Sequence, residues 1–198
     1  MFEKAIYRIE RATRDAYIKP EKYDRYPVQV VYKDSGDNTW DEWKPVLDRW
    51  LPRFEEAGWL DGLERIEVGN RMINGDRVGE YSRAERVIRL KDKPVMFDTS
   101  YLVGYTKPYL LIHEMIHHVH MRDIFNFDGE VDDVAIEQKH NELHWNKESH
   151  DFYIHVSEYA ATNFLEAVAE TGSGLCLGEE YPDYITDTYK IFGGPEPL

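Results

Sequence analysis

The stretch LLIHEMIHHVH, residues 110 to 120, restricts the fold of this chain more than any other segment. Leu110, Leu111, Ile112, Met115, Ile116 and Val119 recur at helical spacing and call for burial, yet four histidines and a glutamate are threaded among them. A buried imidazole or carboxylate without a partner is costly, so the fold has to bring partners to this helix. His113 and His117 stand four apart and project from one face, with Glu114 rotated about 100° from His113. That is the His-Glu-x-x-His pattern. Thr106 is a good N-cap, and Pro108 falls in the first turn, where its missing N–H costs nothing. The helix is expected to run from there to about Met121.

All eight histidines lie between positions 113 and 155. Metal binding is a physical reason to concentrate imidazole in this way. Two histidines one helical turn apart can share a tetrahedral zinc ion, Zn2+. Glu114 can then reach a water on the metal without ligating it, and can take its proton as it attacks a carbonyl. The plainer alternative is a buried helix whose histidines only cap and hydrogen-bond.

A catalytic zinc needs a third protein ligand, and the residues leave four candidates open. His120 lies on the same stripe as His113 and His117, where a supporting or surface role suits it better than ligation. His118 shares a stripe with Glu114 and could orient it, or could simply sit at the helix end. His150, in ESHDFYIH, reads as loop. Glu158, early on a helix expected from Val156 to Glu170, shares a face with Ala161, Leu165 and Val168. Glu166, further along, reads as a solvated or structural acid.

The remaining chain supplies a frame. VQVVY (28–32) reads as a strand, and Thr39 to Ala57 as a helix that Gly58 stops and that Pro45 and Pro52 could kink. LERIEVG (63–69) and ERVIRLK (85–91) read as strands, joined by the turn-rich NGDRVGEYSRA. Val87 and Ile88 alternate, which suggests a half-buried strand. A first helix is expected over residues 2 to 18, an acidic excursion over 127 to 145, a last helix from Asp183 to Ile191, and a loose tail over 193–198. The Asp-Gly segment near Gly129 does not fit a calcium loop, because Ile124 and Ala135 would fill ligand positions that need side-chain oxygen.

Composition narrows the class. With 198 residues and 42% hydrophobic content, the chain suits one core and is short for two domains. A net charge of −14 repels phosphate backbones, so nucleic acid is not expected as a partner. The single Cys176 allows no internal disulfide and suggests a reducing compartment. Neither a signal peptide nor an apolar run long enough for a membrane span is visible, so a cytoplasmic protein without membrane partners is expected. Export as an effector is not excluded.

His113-Glu114-x-x-His117 followed by the block SEYAATNF and the downstream YPDYITDTYKIF resembles the gluzincin branch of the zincin metallopeptidases, in particular small lethal-factor-like and phage-associated members. The resemblance covers about residues 80 to 192. It implies an α/β (α+β) zincin-like fold, with a small mixed sheet packed on the active-site helix. It also implies one domain over 1–198, divided into N-terminal helices and strands (1–80), a catalytic core (81–192) and the tail. Zinc would be held by His113, His117 and Glu158, with Glu114 as general base and ERVIRLK as the edge strand on which an extended peptide pairs. HEMIHHVH followed by SHDFY is also similar to the SprT-like proteases, which would make His150 the third ligand.

The expected activity is zinc-dependent hydrolysis of peptide bonds in a protein or peptide substrate. The rival from another class is a catalytically silent zinc-binding domain that senses or binds a partner. A donor for the tetrahedral oxyanion is also expected. Tyr153 and His150 are the leading candidates, with His155, Tyr184 and Tyr189 behind them.

Overall fold

The computed structural model describes residues 21–32, 40–69, 77–91, 103–104, 106–125, 138, 141–142 and 145–198. The expected helix over 2–18 lies outside these residues, as does almost all of the acidic excursion. Within them the protein is a mixed α+β fold of four strands and five helices. Strands β1 (Gln29–Tyr32), β2 (Arg65–Val68), β3 (Gly79–Ser82) and β4 (Val87–Leu90) form one sheet in the order β1-β2-β4-β3. The β1–β2 and β2–β4 pairs are parallel, while β3 runs antiparallel to β4 with Tyr81 opposite Ile88.

Helix α1 (Trp40–Glu56) links β1 to β2. It buries Trp43, Val46, Leu47, Trp50, Leu51 and Phe54, a three-four spacing that keeps one stripe on the core. Pro45 and Pro52 sit inside this helix without dividing it. Gly58, in the left-handed region at φ 70°, turns the chain after it, as the sequence suggests.

Helix α2 (Lys107–Phe125) carries the histidine motif. Thr106 Oγ1 accepts from the Tyr109 N–H at 3.3 Å, so the expected cap is present. The helix runs one turn past Met121. It packs against β3 and β4 on one side and against α4 (Phe164–Leu177) on another. Helices α3 (Trp145–His155) and α5 (Asp183–Ile191) complete the described set. Buried side chains from Tyr23 to Phe192 form a single cluster.

Four expectations need correcting. The segment GEYS, read as part of a turn, is strand β3. As an edge strand it buries no face, and all four residues are only half-buried, so no apolar alternation marks it. β4 is therefore interior and not the edge, and both Val87 and Ile88 are buried. ESHDFYIH is helical, while the helix expected from Val156 begins at Phe164. Its start is fixed by Asn163, whose side chain accepts from the N–H groups of Leu165 and Glu166 at 3.0 and 3.1 Å. Finally, residues 193–198 are not loose. The Tyr189 hydroxyl donates to the Pro195 carbonyl at 2.5 Å, and the Leu198 N–H lies 3.4 Å from Cys176 Sγ.

Candidate metal centre

Two faces of α2 meet different partners. Toward α4, His113 and His117 present their Nε2 atoms 3.1 Å apart, and Glu166 Oε2 lies 3.2 Å from each. Three donors from two packed helices thus form a nearly equilateral triangle. A tetrahedral zinc with bonds of about 2.0–2.1 Å separates its ligands by about 3.3 Å, so the spacing and the His, His, Glu donor set both suit that metal. Among the described residues this is the only group of three histidine, cysteine or acidic side chains drawn together so closely.

The electrostatics of the triangle follow from its burial. Burial alone would raise the Glu166 carboxyl, but the His117 and His113 imidazoles outweigh it and hold the carboxyl far below its ordinary range. Burial also lowers both imidazoles. For His113 it prevails; for His117 the Glu166 carboxylate offsets it and the net direction is upward.

Behind His113 stands a second carboxylate from α4. Glu170 is fully buried, with Oε1 3.1 Å from His113 Nδ1. Its Oε2 accepts from the Val103 N–H at 2.7 Å and from the Ser157 hydroxyl at 2.8 Å. No hydrogen bond reaches Oε1 among the described residues, so its approach to His113 is a contact of proximity. Nδ1 of His113 thus faces Glu170, while its Nε2 faces the triangle. Burial pushes the Glu170 carboxyl up to about 8, opposed by the Val103 N–H. The Tyr109 hydroxyl, 3.2 Å from Nδ1, supports the same ring.

Glu114 points the other way, toward β3. It is buried, and burial pushes its carboxyl up to about 8. The Glu166 and Glu80 carboxylates add to that rise, while His117 and the Tyr81 main-chain N–H oppose it. Glu114 thus feels the charges of His117 and Glu166 but is not one of the three donors.

The other sequence candidates fall elsewhere. His118 is buried and structural: Nε2 donates to the Asp61 carbonyl at 3.1 Å, and Nδ1 lies 3.2 Å from the Tyr81 hydroxyl. His120 is buried as well, and its Nε2 donates to the Phe192 carbonyl at 2.8 Å. It is neither a ligand nor on the surface. Glu158 is exposed on the turn before α4, where the Tyr153 hydroxyl donates to it at 3.4 Å. His150 is exposed on α3. The structure therefore does not bring Glu158, His150 or Tyr153 to the histidine pair. It brings Glu166, which by sequence alone reads as a solvated or structural acid. Tyr159, which the sequence does not single out, lies half-buried with its ring nearly parallel to that of His113, centroids 6.1 Å apart.

The sequence does hold a signal for Glu166. Asn163-x-x-Glu166 has capping-box spacing, which starts the helix at Phe164. Glu166 and Glu170 then share one face, four apart, among Ala167, Val168 and Ala169. Comparison of the chain with family models, curated proteins and solved structures finds no match.

Proposed function

We propose that this chain is a zinc metallopeptidase with a zincin-like fold of the gluzincin type, its metal held by His113, His117 and Glu166. The observation that carries the reading is the His113–His117–Glu166 triangle, with Glu114 buried beside it and Glu170 behind His113. Zinc, when bound, supplies Lewis acidity toward water and the scissile carbonyl. The chain's own residues do the rest. Glu114, buried against β3, accepts a proton from the attacking water and passes it to the leaving amine. Tyr109, bonded at Nδ1, and Glu170, packed beside it, hold the His113 ring in register. Tyr159, whose ring lies along His113, takes the place of Tyr153 as the proposed donor to the developing oxyanion, since Tyr153 turns to Glu158.

The substrate we propose is an extended protein or peptide segment. β3 packs against α2 and ends the sheet among the described residues, so those of its outer backbone groups that Glu114 does not engage can pair with an added strand. Among the described residues no helix is long and apolar enough to cross a membrane.

Protein purified without added zinc should carry about one equivalent, and labelled casein serves as a general substrate. Glu114→Gln should keep the metal and lower turnover by at least ~10²-fold. Loss of zinc in that variant would make Glu114 a ligand and overturn its role. Stoichiometric zinc with no cleavage by wild type would favour the silent zinc-binding domain instead.

A further inference from the structure

Gly79 is a glycine inside a β-strand, where the residue ordinarily weakens the element. Its backbone does not need glycine: the described glycines with positive φ are Gly58, Gly62, Gly178 and Gly193, and Gly79 is not among them. What excludes a side chain here is Glu114. A Cβ at position 79 would lie 3.0 Å from Glu114 Cγ and 3.1 Å from Cδ, and would overlap Oε1. Two residues on, the Tyr81 main-chain N–H donates to the same carboxylate. Gly79 and Tyr81 share the strand face turned toward α2, since the Tyr81 ring meets His118 from that face.

We infer that Gly79, with the Tyr81 N–H, forms a seat on the edge strand that sets where the Glu114 carboxylate lies, which makes Gly79 a positioning residue for the general base. The inference rests on the peptidase reading for its catalytic meaning, though the seat itself is a matter of packing. The two halves of the seat act differently, since the bare Cα gives the carboxylate room and the N–H fixes its orientation. A methyl group at position 79 meets the far end of a flexible side chain, so the carboxylate gives way before the backbone does. The chain then stays folded with its metal triangle intact, and the base is displaced. A displacement of about 1 Å at a reacting group can cost on the order of 10²-fold in rate.

Two measurements on full-length protein test this. In the first, Gly79→Ala should lower kcat on labelled casein by ~10–100-fold with KM and zinc content unchanged. Glu114→Asp, which shortens the side chain by one methylene, should impair the wild-type background yet partly restore turnover to Gly79→Ala. In the second, which needs no activity, thermal unfolding is followed for Gly79→Ala with Glu114 present and with Glu114→Ala. Gly79→Ala should lower the midpoint in the first background and leave it unchanged or raised in the second. Equal shifts in the two backgrounds, or no rescue by Glu114→Asp in a wild type that does cleave casein, overturn the seat. A wild type that never cleaves, with the thermal coupling present, defeats the peptidase reading and supports the seat.

Discussion

Helix α2 carries two pairs of histidines, three of them buried and His117 half-buried, that the sequence presents in the same way and the fold uses differently. His113 and His117 face α4 and meet carboxylates, Glu166 from one side and Glu170 from behind. His118 and His120 face main-chain carbonyls, those of Asp61 and Phe192. A carbonyl takes one N–H and fixes a neutral ring. A carboxyl group can carry charge and can share a cation with the ring nitrogens it faces. So the first pair can assemble a metal site, while the second ties α2 to the chain after α1 and to the turn after α5. Burial of a histidine therefore says little about its role until the partner's charge is known.

The largest expected effect breaks the first pair from its partner. Glu166→Ala and His117→Ala should each weaken zinc binding, measured by chelator competition, by more than the roughly 10–100-fold that losing an outer hydrogen-bonding partner brings. Glu158→Ala and His150→Ala should leave it unchanged, because both residues are exposed away from the triangle. Retention of zinc in Glu166→Ala, with loss in Glu158→Ala, would return the third ligand to the position that the resemblance suggests.

The contrast between Glu158 and Glu166 shows what is legible in the sequence and what is not. The motif, its cap at Thr106, the pattern of α1, the β1, β2 and β4 segments and the last helix can all be read, because each is set by local chemistry or by a buried stripe. Glu158 looks inward only when its helix is started at Val156, about two turns too early. With the helix carried back over Ser157 to Thr162, Glu158 falls on an inward face; once Asn163 caps it, Glu158 becomes a turn residue and Glu166 turns inward. β3 is unreadable for another reason. Its partners are β4 through the backbone and Glu114 through a missing side chain, and neither leaves an apolar period in GEYS.

A smaller effect sharpens the comparison from behind the ring. Glu170→Gln keeps the volume and an accepting oxygen but removes the ionisable carboxyl facing His113 Nδ1. Zinc affinity should fall by about tenfold, the lower end of what an outer partner contributes. The effect should be confined to the first pair, so the anchoring of α2 through His120 and Phe192 stays intact. An unchanged affinity would mean that Glu170 serves Val103 and Ser157 alone, as a buried brace with no hold on the metal.

The smallest effect belongs to the second pair and is one of stability against pH. Burial lowers both His118 and His120 to about 4 from an ordinary value of 6.5; the carbonyls of Asp61 and Phe192 oppose that shift, and Arg122 adds to it at His118. Both rings therefore stay neutral in the folded chain while the unfolded chain takes up protons. With the folded value depressed, the stability contribution is complete above pH 6.5 and is lost as pH falls from 6.5 toward 4. The ionisable groups of the triangle add a pH dependence of their own, so the measurement belongs on chelator-treated protein, where that background is common to every variant compared. His120→Gln places an amide N–H toward the Phe192 carbonyl and cannot titrate, and it removes the unpartnered Nδ1 as well. Its denaturation midpoint should fall less steeply between pH 6.5 and 4 than that of wild type. The difference in slope should be at most about 1.4 kcal/mol per pH unit, the value for one proton. Parallel curves would show that His120 takes a proton in the folded state as readily as in the unfolded one, and the distinction between a carbonyl-held and a carboxylate-held histidine would then fail at the residue where burial makes it strongest.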